Sequence, residues 1–174
     1  MGYSQRFMQF FLEVTNEDLP IVRELAQRIW NDHYPAIIGQ EQVDYMLERM
    51  YDLESLSLQL QKGDLFYLSA VGESEDNLVY AGFASVKDFG DGRWFLNKLY
   101  VDTDLQRTGL GRGLIDFLIE EHNMSELRLQ VNRQNYKAIN FYFRNGFVIE
   151  SVADFDIGDG YFMNDFIMLK VCKP

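Results

Sequence analysis

A chain of 174 residues, 47% hydrophobic and 25% charged, is long enough for one domain, residues 1–174, with a substantial core. Its net charge of -11 is uneven: residues 1–92 carry 16 acids and 6 bases, residues 93–174 carry 11 and 10. An acidic half argues against binding nucleic acid phosphates. It leaves two readings open, attraction for a cationic partner or plain solubility. No apolar run approaches the ~20 residues of a membrane span, and the start "MGYSQRFMQFFLEV" lacks the basic-then-apolar pattern of a secretory signal. Arg6 stands where a myristoylation motif needs Ser or Thr. The single Cys172 allows no internal disulfide and fits a reducing cytoplasm. Two distant histidines and one cysteine predict no metal site.

Phe7 to Val14 predicts a strand. "TNEDLPIVRELAQRIWNDHY" predicts a helix, capped at Thr15 or Asn16, with Ile21, Leu25 and Ile29 on one face. A second helical stretch covers about Glu41 to Leu60, with Val43, Met46, Leu47 and Met50 at helical spacing, and Gly63 ends it. "LFYLSAV" and "LVYAGFASVKDF" are strands joined by "GESEDN", and "RWFLNKLYV" is a fourth strand after the "GDG" turn. A helix follows from about Gly109 to His122, with an apolar stripe of Leu110, Leu114, Phe117 and Leu118. "ELRLQV" is a short strand and "NYKAINFYFRN" a short helix, with Gly146 placed for a left-handed stop. "FVIESVADF" and "YFMNDFIMLKV" close the chain as a hairpin across "DIGDG". No repeats, low-complexity segments or linkers interrupt this order. It predicts a mixed α/β (α+β) domain, an antiparallel meander feeding a parallel pair.

The stretch "DLQRTGLGRGL", Asp104 to Leu114, joins a strand to a helix. Helix N-termini expose unpartnered N–H groups and a partial positive charge, so such a turn can hold an anion. Gly109 and Gly111 would let a phosphate approach the backbone, and Arg107 and Arg112 would add charge at its rim. The spacing is neither that of a P-loop nor that of the dinucleotide fingerprint. Taken alone, a glycine-rich turn without a ligand remains the other reading.

A second motif lies downstream. Gln106, Gly109 and Gly111 fit Q/R-x-x-G-x-G/A, and "VNRQNYKAINFYFRNGF" carries Asn132, Asn135, Ala138, Phe141, Tyr142, Gly146 and Phe147. Both motifs resemble the acetyl-CoA site of the GCN5-related N-acetyltransferase (GNAT) superfamily. The resemblance is specific from Trp94 to Lys170, and "DIGDGYFMNDFIMLK" is similar to the family's last hairpin. The "W…HY" segment and "YML" helix are similar to a bacterial branch with PaiA-type polyamine acetyltransferases. One departure is "VDTDLQ", where the family often has a proline and an aromatic.

The resemblance implies a GNAT fold: a mostly antiparallel sheet of about seven strands, four helices and a splayed central parallel pair. It implies acetyl-CoA as cosubstrate and no metal. Leu99, Tyr100 and Val101 would pair with the pantetheine arm. The amides of Arg107, Thr108, Gly109, Leu110, Gly111 and Arg112 would cradle the pyrophosphate beside Gln106, and Asn132 would complete the cofactor site. Asn135, Ala138 and Tyr142 share a helix face by their spacing. Asn135 would bond the pantetheine amides, Ala138 leave room, and Tyr142 act as general acid toward the departing thiolate. Without the resemblance, Tyr142 reads as a core aromatic.

An ammonium acceptor must lose a proton before it attacks. Many family members place a Glu on the strand before the loop, but "FLNKLYV" has Asn97 and Lys98 there, so the base is unassigned. Asp165 is one candidate, against a salt-bridged structural role. His33 and Tyr34 could line the acceptor side, His33 otherwise being structural. Cys172 reads as packing. The function expected is transfer to a small cationic amine such as a polyamine, without nucleic acid or membrane partners. The alternatives are a protein N-terminal or lysine acetyltransferase, or an acyl-CoA-binding module without catalysis. A homodimer is common in the family, and the aromatic-rich last strands would be its surface.

Overall fold

The computed structural model describes residues 8–102, 104 and 109–172. Strand β1 (Met8–Glu13) leads through a 3-10 turn (Asn16–Asp18) into α1 (Leu19–His33). Thr15 caps the turn, its N–H donating to Asp18 Oδ2 at 2.8 Å. Then come α2 (Pro35–Ile38), α3 (Gln40–Tyr51), α4 (Leu53–Gln61), β2 (Asp64–Gly72), β3 (Leu78–Asp88) and β4 (Arg93–Val101). Helix α5 (Leu110–Glu121), β5 (Glu126–Asn132), α6 (Tyr136–Arg144), β6 (Val148–Gly158) and β7 (Tyr161–Val171) complete the chain. The expected pair of helices before β2 is thus four, and the described residues hold six α-helices rather than four. The continuous stretch expected over Glu41–Leu60 breaks at Asp52, whose extended backbone ends α3. Its side chain caps α4 by accepting from the amides of Glu54 and Ser55, both at 3.0 Å.

Seven strands form one sheet in the order β1-β2-β3-β4-β5-β7-β6. All neighbours are antiparallel except β4 and β5. One face packs α1, α3 and α4 through Val22, Leu25, Ile29, Trp30, Val43 and Leu56. The other packs α5 and α6 through Leu114, Ile115, Leu118, Ile139 and Tyr142. The stripe expected on α5 is the buried one, although Phe117 is only partly covered and rests against Phe11 and Tyr67. Each fully buried Leu contributes about 1.5–3 kcal/mol.

Two irregularities position the site. The β4–β5 ladder runs only from Arg93/Glu126 to Leu96/Leu129, and past it the strands diverge. On the other edge of β4, Val86 pairs with Leu96 but Ser85 pairs with Lys98, so Asn97 is a bulge. The extra residue reverses which face the side chains take. Trp94 and Leu96 pack with α5 and α6, whereas Tyr100 packs with α1.

Candidate active site

A cavity of about 310 Å3 occupies the gap where β4 and β5 part. Of the residues expected at the site, Tyr34, Leu99, Tyr100, Asn132, Asn135, Ala138 and Tyr142 line it. The structure also brings in residues that sequence reasoning missed: Trp30, Tyr51, Gln42, Met46, Met50, Asp64 and Met163. Lys98 and Asp165 line it too. The i, i+4, i+8 spacing of Gln42, Met46 and Met50 was the available signal for α3.

Helix α6 presents Tyr142 because both its ends are fixed. Asn135 is its N-cap, with Oδ1 accepting from the Ala138 amide at 3.1 Å. At the other end Gly146 has φ +85°, as expected, and the amides of Gly146 and Phe147 donate to the carbonyls of Phe143 and Tyr142. The Phe147 ring lies 5.4 Å from that of Tyr142. Tyr142 is 8% exposed, and burial, with a smaller contribution from Tyr34, pushes its phenol well above the ordinary value. It is therefore protonated at neutral pH and can donate a proton.

Asn135 Oδ1 also lies 3.5 Å from His33 Nε2, so His33 stands behind Asn135 rather than among the cavity-lining residues. The His33 ring meets Tyr34 edge-on at 5.1 Å. Tyr34 stacks on Trp30 at 4.5 Å, and burial pushes its phenol up to about 12. Tyr100 lies 5.7 Å from Trp30 and is pushed up by burial as well. These rings form an aromatic floor.

Lys98 is 5% exposed and donates from Nζ to Gln59 Oε1 at 2.7 Å. Its ammonium sits 5.4 and 5.5 Å from the Tyr51 and Phe66 ring centres. Burial, only partly offset by Asp64, brings its pKa down to about 8. Asp165 is 2% exposed, and its Oδ1 is buried without a hydrogen-bond partner. The salt bridge weighed for Asp165 is absent among the described residues. Arg133 pairs instead with Asp154 at 2.5 Å. Burial pushes the Asp165 carboxyl up to about 6, with Arg133 opposing and Asp154 adding.

On the cofactor side, Gln106, Arg107 and Thr108 lie outside the described residues, as do Thr103 and Leu105 of "VDTDLQ". Gly109 is the N-cap of α5 with φ +80°, and a Cβ there would meet nothing within 4 Å. Helix geometry leaves the Leu110, Gly111 and Arg112 amides without intrahelical acceptors. That fits a pyrophosphate. Gly111 differs from the expectation: its bare Cα lets the Phe141 ring of α6 approach, a Cβ there lying 3.3 Å from Cζ. The Leu110 side chain is core, and Arg112 is exposed beside Asp116 at 3.4 Å. Cys172 is buried in the core, and burial raises its thiol pKa, which suits packing.

The acetyltransferase (GNAT) domain family matches residues 63–149, from the turn before β2 into β6, and the chain belongs to that family. It is an acetyl-CoA-dependent acetyltransferase. Its likeness to PaiA-type enzymes extends over nearly the whole chain. A spermidine N(1)-acetyltransferase of Thermoplasma acidophilum is 27% identical over 161 residues, 88% of this chain and 91% of the relative. The crystal structure of PaiA N-acetyltransferase from Thermoplasma acidophilum, in complex with coenzyme A, superposes with a TM-score of 0.72 at 25% identity. That match covers 95% of this chain and 99% of the other. A GCN5-related N-acetyltransferase from Rhodopseudomonas palustris shares the fold, with a TM-score of 0.75 at 18% identity and coverage of 95% and 96%. Acetyl-CoA is thus the acyl donor. Among the described residues no cluster of His, Cys, Asp and Glu could hold a metal ion, and no helix is long and apolar enough to cross a membrane.

Proposed function

We propose that the protein transfers the acetyl group of acetyl-CoA to a primary amine on a small cation such as a polyamine, with Tyr142 as general acid. The observation that carries this reading is the cavity itself, which joins a buried, protonated phenol to an aromatic floor and two acids, Asp64 and Asp165. Aromatic faces and carboxylates both attract ammonium groups. The spermidine relative and the acidic N-terminal half agree with a cationic acceptor. Leu99, Tyr100 and Val101 lie past the end of the β4–β5 ladder, where the pantetheine arm would extend the sheet. Gln106, Arg107 and Thr108 would hold the pyrophosphate with the α5 amides. Asn132 and Ala138 would flank the arm.

A roof over the cavity favours a small acceptor over a protein N-terminus or lysine. Gln42 Nε2 donates to the Phe162 carbonyl at 3.2 Å, and Tyr45 and Arg49 donate to the Ile157 carbonyl at 3.0 and 2.8 Å. These bonds tie α3 to the β6–β7 hairpin beside Gln42 and Met163 of the cavity lining, which narrows the opening available to a peptide. A reducing cytoplasm suits the lone buried thiol. The test is free thiol released from acetyl-CoA across polyamines, aminoglycosides, amino acids and basic-tailed peptides. Release with polyamines and not peptides is the expected result. Release with peptides alone would move the enzyme to protein modification. Tight acetyl-CoA binding with no release from any amine would make the protein a binding module.

A further inference from the structure

The strand that carries the family's usual acid has none here, yet the acceptor side of the gap holds a carboxylate with nothing to do. Asp165 pairs with Asn132 of β5 and Ala153 of β6, at the level where β4 and β5 have already parted. Its neighbours in register, Phe166 and Met168, pack toward α5 and α6. The alternation of β7 therefore turns Asp165 to the other face, with Met163 and the α3 side chains. There it lines the same cavity as Tyr142, and its Oδ1 is buried and unpartnered. A buried carboxylate oxygen without a donor is costly, and an ammonium would satisfy it.

We propose that Asp165 is the general base, binding the acceptor ammonium through Oδ1 and taking its proton. This rests on the functional reading above. The ammonium passes one proton to Oδ1, and the freed nitrogen lone pair attacks the thioester carbonyl carbon. The C–N bond forms as the C–S bond breaks. The departing sulfur takes a proton from Tyr142, the nitrogen's second surplus proton makes good that loss through solvent, and Asp165 releases its proton to bulk. The products are an amide, a thiol and one proton.

The groups around Asp165 fit this role. Arg133 and Asp154 act on it with opposing effects, and it interacts electrostatically with Tyr34, the C-cap of α1. Tyr100, Lys98 and Asp64 line the same cavity, and His33 stands behind Asn135. The net result is a carboxyl raised to about 6, ionised at neutral pH yet basic enough to accept a proton.

The experiment compares wild type with Asp165→Asn, which keeps the side-chain shape. With an alkyl amine, wild-type kcat/KM should rise through about pH 6 and then stay level until the amine itself titrates. In the variant kcat/KM should fall about 10²-fold or more and climb with pH throughout, because only pre-neutralised amine reacts. An aromatic amine, neutral at assay pH, needs no base and should restore turnover to near the wild-type rate. Acetyl-CoA affinity should be unchanged. Normal turnover, a retained plateau, or equal losses with both amines would overturn the assignment while leaving the functional reading intact. No thiol release by wild type from any amine would overturn both.

Discussion

Tyr142 is usable as an acid because three local facts coincide: the α6 face it shares with Asn135 and Ala138, the Phe147 ring against it, and burial that keeps it protonated. Tyr142→Phe should lower turnover by about 10²-fold or more, with acetyl-CoA affinity largely kept, as steady-state kinetics and calorimetry would show. Lys98 carries a stability cost instead. Its folded pKa of about 8 lies below the unfolded value, so the cost of its buried charge is full below pH 8 and is relieved as pH rises toward about 10.5. Stability should climb there by on the order of 3 kcal/mol. Lys98→Met should be flat over that window in urea titrations. The sign for Asp165 is opposite, its contribution being complete near pH 4 and lost through about pH 6. At pH 8, then, Asp165→Asn should leave Tm unchanged or raise it. The shared helix face of Tyr142 and Asn135 was legible from spacing, while their roles came only with the family resemblance. The setting of Asp165 was not, since it depends on register with β5 and on burial by distant elements.

The stop of α6 shows how an element sets the side chain proposed as general acid. Gly146 adopts a conformation that costs an L-residue about 1–2 kcal/mol. Gly146→Ala should therefore lower Tm by roughly 3–6 °C, and it should reduce turnover more than acetyl-CoA affinity because Tyr142 lies one turn before the stop. The glycine and the NFYF periodicity announced this helix in the sequence. The break at Asp52 was harder to see, because α3 and α4 continue one apolar rhythm while the cap acts through backbone geometry. The β4 bulge was hidden for a related reason. "FLNKLYV" alternates acceptably in either register, and only pairing with β3 shows that Asn97 is extra. Placing Lys98 beside α4 required that knowledge.

Across the whole molecule, the seven strands and their sequence along the chain followed from apolar runs bounded by turns, whereas the place of β7 between β5 and β6 did not, because it is set by pairing between strands distant in the chain. The joining of the N-terminal helices to the last hairpin did not, since those contacts span more than a hundred residues. The aromatic core between those parts makes an alkaline limit. Tyr34, Tyr51, Tyr100 and Tyr142 all keep their protons beyond the pH at which an unfolded tyrosine loses them. Their contribution is complete below about pH 10 and is lost above it, each steepening the fall by about 1.4 kcal/mol per pH unit. Unfolding followed by phenolate absorbance should become sharply easier past that point. The early end of the β4–β5 ladder has a different consequence. The β4–β5 pairing is a zip fastened only part-way, and in the proposed binding mode the donor substrate supplies the remaining teeth. Loading with acetyl-CoA at about 100 times its Kd should add about 2.7 kcal/mol, and the slowing of amide exchange should concentrate at Leu99 and Tyr100. In that binding mode the enzyme would report in its own rigidity whether its acyl donor is in place.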